Sequence, residues 1–204
     1  AATFRLCNLS GEAETVDVAD RASIAALLRR LDDAGRTIDI LVNSAGSNLR
    51  MPFEAIRDED WDATLAANLT GPFLLTRALA PGMAARGWGR IVNVASQQAI
   101  RAFGASGAYG VSKGGLVSLT RSTAERWSRS GVTCNALMPG FVVTPLTAEA
   151  SADPARVAAM AARTMIGRNG VPEDFRGAAL LLASDAGAAI TGQMLCVDGG
   201  FSAT

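Results

Sequence analysis

The sequence predicts an α/β domain, a doubly wound parallel sheet with helices on both faces. Three observations carry this. Short apolar, β-branched runs alternate with segments of helical period. Glycine and proline punctuate the joins. The residues best suited to chemistry fall just after the strand-like runs, where open parallel sheets bind their ligands. With 204 residues and no repeat, low-complexity tract or charge block, one domain spanning residues 1–204 is the economical reading.

The elements follow in order. Asp20 is placed to cap a helix whose apolar positions are Ile24, Leu27, Leu28 and Leu31, with Gly35 as its stop. Ile38 to Val42 reads as a buried strand. Trp61, Leu65 and Leu69, then Phe73, Leu74 and Leu79, mark one long helix or a pair broken at Gly71-Pro72. Arg90 to Ala95 is the next strand, and Tyr109 to Ser128 a helix with Leu116, Leu119 and Trp127 apolar. Val132 to Leu137 is a strand ending at Pro139-Gly140. A looser segment from Phe141 to Pro154 leads into a helix from Val157 to Met165. Pro172 stands where the first residue of a helix belongs, and Met194 to Val197 is a last strand closed by Asp198-Gly199-Gly200.

Composition narrows the function. Apolar residues make up 49% and charged residues 19% of the chain, and Lys+Arg and Asp+Glu both number 19. A net charge of zero gives no electrostatic case for nucleic acid or an anionic membrane. The absence of histidine excludes Ser-His-Asp and Cys-His nucleophiles and His-ligated zinc. Cys7, Cys134 and Cys196 are far apart, which points to buried thiols in a reducing cytoplasm. There is no eighteen-residue apolar run, so no membrane span is expected, and the N-terminal residues do not read as a signal peptide.

The most informative pattern is Tyr109 and Lys113, with Ser96 thirteen residues upstream of the tyrosine. Residues four apart share one helix face, so phenol and ammonium can enter one site. A lysine cation beside a phenol is expected to lower the phenol's pKa, as a general acid/base requires. A serine hydroxyl from a strand end can then hold a substrate oxygen. A helical tyrosine that merely packs is the bland alternative. Likewise Gly46, Gly140, Gly199 and Gly200 can serve as turn glycines, Asn43 and Thr144 as caps, and Asn68 as a solvated polar residue.

Together these motifs resemble the short-chain dehydrogenase/reductase family, from about Glu14 to Phe201, in family order and spacing. Asp17-Val18 looks like its adenine-holding pair. Asn43-Ser44-Ala45-Gly46 looks like its Asn-Asn-Ala-Gly segment, with Ser44 replacing the second Asn. Asn68, Ser96, Tyr109 and Lys113 fall at its catalytic positions. Pro139-Gly140-Phe141-Val142-Val143-Thr144 resembles the loop that meets the nicotinamide, and Val197-Asp198-Gly199-Gly200 a C-terminal signature. The resemblance implies a Rossmann-like fold, NADP or NAD as cofactor, and interconversion of a secondary alcohol and a ketone. Tyr109 would move the proton, Ser96 hold the substrate oxygen, Lys113 bind the nicotinamide ribose and Asn68 hold a water. Asn43, Ala45 and Gly46 would line the cofactor path. Val142 and Thr144 would meet the carboxamide. A dimer or tetramer built on the two long helices is also implied.

One departure matters. The family opens with a strand and a Thr-Gly-x-x-x-Gly-x-Gly turn that admits the pyrophosphate. This sequence has no such βαβ glycine-rich turn and is roughly forty to fifty residues short of the family pattern. Either the sequence is a shortened form of a longer chain, the better reading because the sheet would otherwise lose its centre, or the protein lacks that unit. Ala2 to Cys7 can be the second family strand, and the choice between NAD and NADP is not readable. The segment after Thr144, through Leu146 and Glu149 towards Met160, suggests a small, mildly apolar substrate pocket. The chain resembles gluconate 5-dehydrogenase-like members most, which implies a polyol or sugar acid. A 3-oxoacyl-carrier-protein reductase is the rival, with Arg86 and Arg129 near that group's carrier contacts, although solvated surface arginines are the plainer reading of both. An enoyl reductase is disfavoured by the four-residue spacing of Tyr109 and Lys113. A non-catalytic remnant acting as an interaction protein is the reading of another class.

Overall fold

In a computed structural model, which describes residues 13–203, four parallel strands lie side by side in chain order: β1 (Ile40–Asn43), β2 (Gly89–Val94), β3 (Val132–Pro139) and β4 (Met194–Val197). Residue pairs such as Val42 with Val92, Asn93 with Ala136, and Leu137 with Leu195 fix the register. The helices are α1 (Arg21–Asp33), α2 (Asp58–Leu65), α3 (Gly71–Ala85), α4 (Gly107–Trp127), α5 (Ala148–Ser151), α6 (Pro154–Ala162) and α7 (Arg176–Leu182). The expected strand from Ala2 to Cys7 lies outside the described residues. No helix among them is long and apolar enough to cross a membrane.

Both faces of the sheet are covered, so β2 and β3 are buried along almost their whole length, as parallel central strands should be. Side chains alternate across the pleat. Ile91 packs on one face with Ala80 and Met83 of α3, Ala124 of α4, and Val132 and Cys134 of β3. Val92 packs on the other face with Leu137 and Leu182, against Phe175 and Ala178. On the far side of α3, Leu74 and Leu75 meet Ile24 of α1. Among the described residues β1 is an outer strand, and its Ile40 and Val42 are 45% and 53% exposed.

Local chemistry explains the element ends. The Asp20 carboxylate accepts from the Ala22 N–H at 2.8 Å and starts α1, and Gly35 beyond its end takes φ +62°. The chain does not break at Gly71-Pro72. Pro72 has no N–H for the Asn68 carbonyl, and the helix widens to a π turn over Ala66–Thr70 before continuing as α3. The helix expected over Val157 to Met165 starts earlier, at Pro154, because the Asp153 carboxylate caps it through the Ala155 N–H at 2.9 Å. Pro172 opens a 3-10 turn, Pro172–Phe175, that leads into α7 rather than α7 itself.

Candidate active site

The carboxyl ends of the strands open into a cleft of about 440 Å³. Ser96, Tyr109, Lys113, Gly46, Pro139, Gly140, Val142 and Thr144 all line it. Their convergence follows from the topology: Gly46 follows β1, Ser96 follows β2, and Pro139 ends β3. Tyr109 and Lys113 come from the first two turns of α4, one turn apart.

Ser96 caps a 3-10 turn, Gln97–Ala99, its Oγ accepting from the Gln98 N–H at 3.1 Å. Tyr109 is 6% and Lys113 4% exposed. The Lys113 ammonium donates to the Val94 carbonyl at 2.8 Å and lies 5.7 Å from the centroid of the Tyr109 ring. Burial pushes the Tyr109 phenol above its ordinary value, and its hydrogen bond with Ser96 pulls it partly back. Burial also holds Lys113 down to about 8. This corrects the expectation that the lysine lowers the phenol. Both groups are desolvated, and the ammonium is anchored on a backbone carbonyl rather than on the phenol oxygen.

Asn68 is not a solvated helix residue. It lies in the π turn, fully buried, and its Oδ1 accepts from the Ser47 N–H at 2.9 Å. Its Nδ2 donates to the Ser47 carbonyl at 2.9 Å and to Ser112 Oγ at 3.0 Å. Ser112 in turn donates to the Tyr109 carbonyl at 2.7 Å, so one chain of hydrogen bonds ties the loop after β1 to the tyrosine's helix turn. Gly46 sits against this group: a Cβ there would lie 2.9 Å from Asn68 Oδ1 and 3.5 Å from Lys113 Nζ.

The remaining expected residues divide by role. Val18, Asn43 and Ala45 line a second pocket of about 170 Å³ beyond β1, walled also by Val16, Pro72 and Leu75. The Asn43 side chain is turned inward, donating to Asn93 Oδ1 at 2.8 Å. Asp17 stands apart. Its carboxylate accepts from the Ala19 N–H at 2.9 Å, closing a turn on the exposed surface. Gly140 must lack a side chain, since a Cβ would lie 2.9 Å from the Asp198 Cα. The Asp198 carboxylate accepts from Gly200 and Ser202 N–H at 3.0 and 2.9 Å, so the C-terminal motif buttresses the Pro139-Gly140 loop from below. Arg86 pairs with Asp39 at 2.8 Å, at the opposite end of the sheet from the cleft.

These residues fit a dinucleotide. Lys113 has three donors and gives one to Val94, which leaves donors for a ribose diol beside the cleft. The apolar walls of the smaller pocket suit a planar ring. Sequence reasoning missed Asn93, which is buried and donates to Thr120 Oγ1 at 2.9 Å, and Ser112. It also missed Asn48, Arg50, Gln97 and Arg156, which line a side pocket that shares part of its wall with the cleft. Ser112 lies between Tyr109 and Lys113 and was findable by helix position. The others come from separate segments and leave no local pattern.

A family model described as Enoyl-(Acyl carrier protein) reductase matches residues 6–202. The D-threitol dehydrogenase of Mycolicibacterium smegmatis is 41% identical over 186 residues, 91% of this chain and 71% of that protein. The 3-oxoacyl-acyl-carrier-protein reductase of Thermotoga maritima is 35% identical over 185 residues, 91% of this chain and 74% of that one. The crystal structure of a gluconate 5-dehydrogenase from Burkholderia cenocepacia in complex with NADP and tartrate superposes with a TM-score of 0.94 at 36% identity, covering 100% of this chain and 80% of that chain. With the fold, the cleft and these matches in agreement, the chain belongs to the short-chain dehydrogenase/reductase family, whose cofactor is NAD(P).

Proposed function

We propose that this protein interconverts a secondary alcohol and a ketone on a small polyhydroxylated substrate, a polyol or sugar acid, with Tyr109 as its proton-transfer residue. The observation that carries the reading is the meeting of Ser96, Tyr109 and Lys113 on one wall of the cleft. The bound nicotinamide supplies or accepts the hydride. Ser96 holds the substrate oxygen and steadies the charge that develops there. Tyr109 gives that oxygen a proton in reduction and takes it in oxidation. A phenol raised by burial is a reluctant base, and its hydrogen bond with Ser96 offsets part of that rise. Lys113 binds the ribose hydroxyls. Asn68, held by Ser47 and Ser112, positions a water for the proton path to Lys113. Val142 and Thr144 meet the carboxamide, while Val18 and Ala45 wall the adenine side.

The relatives named for threitol and gluconate support a polyol or sugar acid. The 3-oxoacyl reading remains the rival: a relative of that name is 35% identical, and of its two expected carrier contacts Arg86 pairs with Asp39 at the far end of the sheet. The intact hydrogen bonding around Asn68, Tyr109 and Lys113 speaks against a non-catalytic remnant. Residues 1–204 act as one domain in this proposal, assembling through α3 and α4 as a dimer or tetramer. The test is Tyr109→Phe. Turnover should fall by about 10²–10⁴-fold, the usual worth of a positioned acid/base, while NADPH or NADH binding by fluorescence titration stays within about twofold. Turnover equal to wild type would sink the proposal.

A further inference from the structure

We infer that the side pocket of the cleft is a carboxylate-binding subsite, in which Arg50 and Arg156 hold the acid group of a hydroxy- or keto-acid substrate. The inference rests on the proposed alcohol–ketone chemistry at Tyr109 and names the substrate class it serves.

The pocket has a volume of about 50 Å³ and shares Asn48, Gln97 and Leu146 with the main cleft. Since a water-sized group needs roughly 10–15 Å³ on this measure, it holds roughly three to five such groups, enough for a carboxylate and the carbon that bears it. Two guanidiniums line this small volume, and Glu149 is the one carboxylate beside them. Arg50 spends one bond, from Nη2 to the Gly104 carbonyl at 3.2 Å. The Nε of Arg156 is buried without a partner. Burial and the neighbouring Arg156 both press the Arg50 pKa downward, with Glu149 opposing them. A pair of crowded cations with one countercharge gains from an anion that accepts from both.

The neutral wall completes the fit. Gln97 is only 5% exposed, follows Ser96 directly, and its Oε1 is buried without a partner. Asn48 Oδ1 is in the same condition. Unpaired buried amides are expensive, and hydroxyl groups on the carbons between the carboxylate and the reacting carbon would satisfy them. A neutral polyol can satisfy the amides but leaves the arginines bare. An acyl chain satisfies neither. The segment through Leu146, Glu149 and Met160 therefore departs from the mildly apolar character expected of it, because α6 brings Arg156 into the wall.

The experiment compares matched pairs: gluconate with glucitol, and threonate with threitol. Each is titrated calorimetrically into the whole protein with NADPH present, so that no turnover adds heat. Glycerol 3-phosphate is a fifth probe. At least one acid should bind about tenfold or more tightly than its polyol, the scale of a charge-assisted hydrogen bond. Arg156→Gln and Arg50→Gln should each remove most of that preference and leave polyol binding within about twofold. Arg156→Lys should restore part of it. Equal binding of acid and polyol, no measurable acid binding, equal loss of both ligands in Arg156→Gln, or tighter binding of the phosphate ester would each overturn the subsite. A neutral alcohol turned over in a Tyr109-dependent manner without acid preference sinks the subsite and leaves the proposed chemistry standing. Arginine-dependent acid binding without any alcohol turnover does the reverse.

Discussion

Replacing Gly46 by alanine should damage the site more than the fold. The added Cβ would lie 2.9 Å from Asn68 Oδ1 and 3.5 Å from Lys113 Nζ, and the first distance is too short for any real contact. Asn68 cannot swing aside. It is fully buried and held by three hydrogen bonds of 2.9, 2.9 and 3.0 Å to Ser47 and Ser112. The clash must be relieved by a shift of a few tenths of an ångström that strains all three. Overpacking of this kind costs about 1–3 kcal/mol. A value of about 2 kcal/mol lowers the Tm of a domain this size by about 4–8 °C. The same shift moves the groups that position Lys113 and the Tyr109 helix turn, so turnover should fall about tenfold or more. Gly177→Ala is the control. Nothing lies within 4 Å of its Cβ in α7, so it should gain about 0.5–1 kcal/mol from helix propensity and turn over as wild type. Circular-dichroism melting and steady-state rates on the three proteins decide it. A Gly46→Ala protein that melts and turns over like wild type would refute the account of Asn68 as a fixed strut.

Other outcomes follow from the same coordinates. Burial lowers Lys113 from the ordinary 10.5 to about 8, so between those values the unfolded chain binds more protons and this residue's contribution to stability rises with pH. The Tm of wild type minus that of Lys113→Met should therefore increase from pH 7.5 to pH 10, and a flat difference would contradict it. Gly131 takes φ +81°, and a Cβ there would lie 2.0 Å from the Gly87 carbonyl oxygen, a backbone atom. Gly131→Ala should lose at least about 2 kcal/mol in denaturant titration. Cys134 is buried, with its thiol pushed up to about 12, while Cys196 is exposed. Peptide mapping after native iodoacetamide treatment should find Cys196 alkylated and Cys134 untouched until the chain is unfolded.

Much of this was legible in the sequence because it is local. The alternation of strand and helix periods locates β2, β3 and α4 to within a residue or two. The Asp20 cap and the Gly35 stop are short-range signals, and so is the four-residue spacing that brings Tyr109 and Lys113 to one cleft. The failures are of another kind. Helical period alone left the join at Gly71-Pro72 open, because a π turn is one residue of slack that hydrophobic patterning does not register. The raised phenol of Tyr109 depends on how much protein surrounds it, which no spacing reveals.

The side pocket shows where such reading ends. Arg50 lies on the loop after β1, Gln97 beside the β2 end and Arg156 on α6, so only the parallel winding of the sheet brings them together. Each alone resembles an ordinary surface arginine or turn amide. What distinguishes them is the shared volume and, at Gln97 and Arg156, buried atoms without a partner, both properties of packing. The contrast with the Lys113 site is instructive. There the cation has a carbonyl at 2.8 Å, and Asn68 and Ser112 complete their bonds within the protein. In the side pocket, Arg156 Nε, Gln97 Oε1 and Asn48 Oδ1 do not. Among the described residues Thr76, Thr133 and Asn169 also hold unpaired buried atoms, but those of Arg156, Gln97 and Asn48 share one pocket beside the reaction centre, where a substrate can reach them. Variation among relatives in what they oxidise should therefore fall on this wall, while the Ser96–Tyr109–Lys113 wall changes little.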